Sequence, residues 1–179
     1  MSELEELAQL IASRNQVAAQ ITRVIGRPAQ IGHVGEFIAS RVFDIALETS
    51  ATAKGIDGHF ASGFLAGRSV NVKWYAKLEG LLDITPDSLP DFYLIMAGPR
   101  SAASSSRGEV RPWTISTVHL LEAAPLVARL HERGVRIGIA TSVRQSEFAQ
   151  GEVYPSESSL LPLSLEQRRL LALFGKGAA

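Results

Sequence analysis

Three residues in the stretch from Gly55 to Lys77, GIDGHFASGFLAGRSVNVKWYAK, are of types that together handle metal and phosphate chemistry: Asp57, Asn71 and Lys73. The segment reads as two short strands, about 56–60 and 69–75, joined by a glycine-rich loop. Side chains alternate along a strand, so Asn71, Lys73 and Tyr75 share one face of SVNVKWY, and Val70, Val72 and Trp74 the other. In IDGHF, Asp57 and His59 oppose Ile56 and Phe60. Paired as a hairpin, the strands bring Asp57, Asn71 and Lys73 to one side of the sheet. An ammonium beside a carboxylate keeps both charged. A carboxylate near an amide oxygen suits a hard, oxygen-seeking cation such as Mg²⁺. The ammonium can then orient a water or stabilise charge building on a phosphoryl oxygen. The same pattern also describes a half-exposed hairpin with one solvated face, Asp57 being an edge residue and Lys73 a solvated lysine.

Other chemistries are excluded or weakly signalled. The chain has no cysteine, which rules out disulfides, thiolate nucleophiles and cysteine-based zinc sites. GFLAGRS (63–69) is one residue short of a phosphate loop, has Arg where lysine is required, and joins two strands; it reads as a hairpin loop. There is no G-x-S-x-G nucleophile motif. His33, His59, His119 and His131 lack metal-ligand spacing; His59 shares the predicted face of Asp57 but reads as structural, and His131 as solvated. Lys54, Lys77, Arg100, Arg107 and Arg111 flank the stretch and could hold phosphates if gathered, although interspersed acids favour a mixed surface. Trp74 and Trp113 are expected in the core.

The elements that must position these residues follow from periodicity. The 179 residues suit one domain, residues 1–179, and the 46% hydrophobic and 20% charged content is that of an ordinary globular chain. Lys and Arg balance Asp and Glu at 18 each, which counts against a large sequence-independent nucleic-acid surface. The acidic start is no signal peptide, and no run reaches the ~20 apolar residues of a membrane span, so a cytoplasmic location and no membrane partner are expected. Residues 3–25 have helical periodicity, with Ser2 and Glu5 as a capping box, and offer a face for a second copy in a homodimer. A second helix is expected from Pro28 to about Leu47, carrying Glu36. Gly32 and Gly35 are costly inside it, which implies close packing on the sheet or a later helix start. After a proline-bounded loop, DFYLIMAG (91–98) reads as a central strand. Strands over 113–121 and 135–142 and helices over 124–134 and 164–174 complete a mixed α/β (α+β) domain, one sheet with helices against it.

Helix, strand, strand, strand over residues 28–98 resembles the core of the PD-(D/E)xK nuclease superfamily, with its restriction-endonuclease-like fold and central mixed sheet flanked by helices. That family carries a Glu on the helix, an Asp on the first strand and (D/E)xK on the next, before a further apolar strand. Here GHVGEFIASRVF supplies Glu36, GIDG supplies Asp57, VNVKW supplies Lys73, and DFYLIM follows. Along its full length the chain also resembles an uncharacterised bacterial family defined by a domain of unknown function. The nuclease resemblance implies a Mg²⁺- or Mn²⁺-dependent endonuclease, with nucleic acid, DNA first, as substrate. It assigns Asp57 to metal binding, Lys73 to positioning the attacking water, and Glu36 to completing the metal site, usually through water. A Glu near a helix start is also favoured by the helix dipole alone. Asn71 stands where the second acid belongs. Its amide offers an oxygen without a charge, so metal is held more weakly unless Glu36 compensates. The alternatives are a catalytically degenerate nuclease fold serving as a binding or assembly module, and an α/β enzyme for a small phosphorylated ligand.

Overall fold

A computed structural model describes residues 2–49, 55–101 and 110–175. In chain order the elements are α1 (Glu3–Ile25), α2 (Ile31–Val42), β1 (Ile45–Leu47), β2 (Gly58–Phe60), β3 (Ser69–Tyr75), β4 (Leu81–Leu82), β5 (Phe92–Ala97), β6 (Thr117–Glu122), α3 (Ala123–Glu132), β7 (Thr141–Ser142), α4 (Gln145–Gln150), β8 (Glu152–Tyr154) and α5 (Leu165–Ala172). Six strands form one mixed sheet in the order β1-β2-β3-β5-β6-β8, and β4 pairs with β7 apart from it. β1, β2 and β3 run as an antiparallel meander, β5 lies parallel to β3, and β6 returns antiparallel.

β5 is buried at every position, as a continuous apolar run should be when both faces of a sheet are covered. Alternation in β3 and β5 sorts two cores. Val70, Val72 and Trp74 join Phe92, Leu94 and Met96 beneath Ile38, Ala39 and Val42 of α2 and Leu171 of α5. Tyr93, Ile95 and Ala97 pack on the opposite side with Leu126 and Leu130 of α3 and Phe148 of α4. Helices thus flank the sheet on both faces.

α1 has the expected bounds because its signals are local. Ser2 and Glu5 form the capping box, and Gly26 ends the helix at φ 71°. α2 departs from expectation at both ends. It begins at Ile31 rather than Pro28. It stops at Val42 because Asp44 turns the chain at φ 52°, after which Ile45–Leu47 pairs with β2 instead of continuing the helix. Gly35 permits a close approach: a Cβ there would stand 3.0 Å from Trp74 Cβ, tighter than an ordinary contact. The glycine lets α2 lie directly on β3.

Other boundaries shift for similar reasons. The first hairpin strand starts at Gly58, leaving Asp57 just outside it. The segment expected as a strand over 113–121 pairs only from Thr117. Of 135–142 only Thr141 and Ser142 are strand, because Ala140 adopts φ 55° and Asp83 Oδ1 accepts its N–H at 2.8 Å. α4, β8 and β4 were not anticipated. Among the described residues no helix is long and apolar enough to cross a membrane.

Candidate active site

The site forms where β2 parts from β3. Gly58 is opposite Val70, and one residue earlier Asp57 N still donates to Val70 O at 2.9 Å. The next β3 amide, Val72 N, meets no backbone carbonyl of β2. It donates instead to Asp57 Oδ2 at 2.7 Å. The aspartate side chain thereby extends the ladder by one bond. Asp57 Oδ1 accepts no hydrogen bond among the described residues.

Asn71 and Lys73 flank Val72. Asn71 is 4% exposed. Its Nδ2 donates to Gly55 O at 3.2 Å, while its buried Oδ1 has no partner. Gly55 stands at φ 78° with its Cα against the Ser88 carbonyl, where a side chain would not fit. Lys73 is half-buried and forms no hydrogen bond or ion pair among the described residues; its charge acts on Asp57 through space. At the start of β3, Ser69 N and Oγ both donate to Asp91 Oδ2, at 2.7 and 2.8 Å, tying β3 to the entry of β5.

Glu36 reaches the same neighbourhood from α2. Its side chain is largely buried and pairs with the more exposed Arg27 through Oε2 and Nη1. Asp57 feels both charges. Burial pushes the Asp57 carboxyl above its usual range, and Glu36 adds to this; the Val72 N–H, Lys73 and Arg27 oppose it without prevailing. Two acids thus share a partly dry space, with Arg27 paired to Glu36 and Lys73 acting on Asp57 only through space.

Among the described residues no group of three or more His, Cys, Asp or Glu gathers to hold a metal. The donors available are two carboxylates and the orphaned amide oxygen of Asn71, the residue before Val72 on β3. That set is too sparse for an all-protein cage. It fits Mg²⁺, which keeps several waters and takes one or two protein carboxylates.

The remaining candidates lie elsewhere. His59 Nδ1 sits 3.1 Å from Glu48 Oε1 in an exposed pair. His119 is fully buried, between Phe148 O and Thr117 Oγ1. Arg111 is committed to Glu79 by two 3.0 Å bonds. Lys77 is likewise engaged, and Lys54 and Arg107 lie outside the described residues. Trp74 is buried as expected, but Trp113 is 42% exposed, its ring 6.0 Å from that of Trp74.

Arg27 is the residue that sequence reasoning missed. It was visible only as part of a helix-breaking GRP, and no local rule pairs it with an acid nine positions on across a helix start. No protein-family model matches the chain, and no curated protein matches its sequence.

Proposed function

We propose that the protein is a Mg²⁺-dependent phosphodiesterase of the PD-(D/E)xK type acting on nucleic acid, with DNA as the first substrate to test. The observation that carries this reading is the half-buried Asp57, held by the Val72 amide, destabilised as an anion by burial and Glu36, and faced by the uncommitted Lys73. A cation held beside Asp57 would offset the burial cost of its charge. Support for the restriction-endonuclease-like fold comes from the order of elements: α2 bears Glu36, Asp57 immediately precedes β2, β3 bears Lys73, and β5 follows in parallel.

In this reading Asp57 would hold the metal, its Oδ2 already accepting the Val72 N–H. Glu36 and Asn71 add oxygen donors. Bound Mg²⁺ supplies Lewis acidity to the phosphoryl oxygen and a more acidic water. Lys73 would orient an attacking water and offset charge developing on the phosphate. The test is Lys73→Ala, which should abolish Mg²⁺-dependent DNA cleavage with an unchanged circular dichroism spectrum. Equal activity in variant and wild type would sink the assignment.

The second reading is a degenerate nuclease fold that binds or assembles without hydrolysis. Arg27, already paired with Glu36, and the uncharged Asn71 favour it. Calorimetry with Mn²⁺ separates the two. Binding that is lost in Asp57→Ala supports the enzyme, and no binding supports the module.

A further inference from the structure

α1 is 23 residues long, about 34 Å, yet none of its residues is buried. Its C-terminal half leans on α2 through Ala18, Ile21, Thr22 and Ile25, which are partly covered. The apolar side chains of its N-terminal half stand open: Leu7 is 51% exposed and Leu10 61%, and further along Val17 is 54% and Val24 70% exposed. At the base of α1 an apolar groove of about 400 Å³ runs between Ile21 and Val24, Phe37 and Arg41 of α2, and Leu173 and Phe174 beyond α5. A solvated helix gains nothing from such a stripe, and a stripe this long marks an interaction surface.

We propose that this face pairs with a second copy of the chain, the two α1 helices packing antiparallel. Leu7, Leu10, Arg14, Val17, Ile21 and Val24 follow the alternating three- and four-residue spacing of a helix–helix seam. That seam is complementary to its own reverse. Setting Leu7 against Val24 of the partner sets Leu10 against Ile21 and Arg14 against Val17, so the lone Arg meets a small apolar residue and directs its guanidinium outward. Ile21 and Val24 also line the groove, which therefore receives the partner's Leu7 and Leu10.

Charge agrees with the register. α1 carries Glu3, Glu5 and Glu6 in its first turn and Arg23 in its last. The antiparallel pairing brings Glu5 and Glu6 level with residues 25 and 26 of the partner, within a turn of Arg23. Among the described residues the one charged residue lining the groove is Arg41. Parallel pairing would instead stack acid on acid. A two-fold axis makes both halves of the contact identical, as expected of an isologous dimer.

Sedimentation equilibrium should give twice the 19.3 kDa chain mass. Leu7→Glu with Leu10→Glu, both at exposed positions, should raise the dissociation constant about tenfold or more with an unchanged far-ultraviolet spectrum. Register is tested by disulfide trapping, since the chain has no cysteine of its own. Residues 7 and 24 of one helix are about 26 Å apart, far beyond disulfide reach, so a bond between Leu7→Cys and Val24→Cys must join two chains. A mixture of the two single variants should give a covalent dimer, and Leu7→Cys alone should not. A monomer at every concentration overturns the proposal. So does a dimer insensitive to the glutamates, or self-linking of Leu7→Cys without the mixed bond.

Discussion

Substitution of Asp57 separates its two tasks. Asp57→Asn removes the charge but keeps an oxygen to accept the Val72 N–H; Asp57→Ala removes both. Val72 is buried, so an orphaned amide there costs about 1–3 kcal/mol. For a chain of this length each kcal/mol moves the melting temperature by ~2–4 °C. The Ala variant should therefore melt roughly 2–12 °C below the Asn variant. The charge adds a pH dependence. A raised carboxyl pKa means that the folded protein binds the proton more tightly than the unfolded chain. The stability this confers is fully present below the ordinary value of 3.8 and is lost as pH rises through the raised one. Wild type thus bears a half-buried charge that its neighbours do not fully offset at neutral pH, and Asp57→Asn should melt higher there. That advantage should shrink as pH falls through the raised value and be gone below 3.8. Scanning calorimetry of the three proteins across this range is the assay. Equal melting of the Ala and Asn variants would refute the ladder role, and a pH-independent gap between wild type and Asn would refute the charge penalty.

Three further outcomes are expected. Burial holds the His119 imidazole below its ordinary range despite the Phe148 carbonyl and Glu152; its share of stability is present above pH 6.5 and lost as pH falls through the lowered value, so the acid-side decline in melting temperature should flatten in His119→Gln. Glu147 is buried and accepts from Arg144 N at 2.9 Å and Arg133 Nη1 at 2.8 Å, so Glu147→Ala should cost about 2 kcal/mol by urea titration. Gly98→Ala would drive a Cβ into the Ala76 carbonyl oxygen beside the β5 terminus and should lower the urea midpoint by the equivalent of about 3 kcal/mol.

The sequence showed its secondary structure where the deciding interactions were local. Capping residues defined α1, and unbroken apolarity defined β5, because neither needs a distant partner. The second helix was overextended because Ile38, Val42 and Ile45 keep helical spacing straight through the Asp44 turn. β8 and α4 are too short and polar to signal themselves. β8 exists only because β6 offers it a ladder. In the site, alternation sorted Asn71 and Lys73 from the core residues of β3. It placed Asp57 on the sheet face, whereas the carboxylate lies at the ladder's end and bonds the β3 backbone. The Arg27–Glu36 pair and the Asn71 bond to Gly55 depend on tertiary proximity that no spacing encodes.

The bond from Asp57 to the Val72 amide has a consequence for how such a protein can diversify. Val72 lies between Asn71 and Lys73, so the carboxylate's position relative to both is set by the repeat of one strand. It does not depend on the turn of residues 61–68 that closes the hairpin and holds Phe64 90% exposed at its tip. The polar cluster and the exposed turn are thus on separate parts: the turn can lengthen, shorten or change its side chains while the three polar groups keep their spacing, provided Gly58 stays opposite Val70.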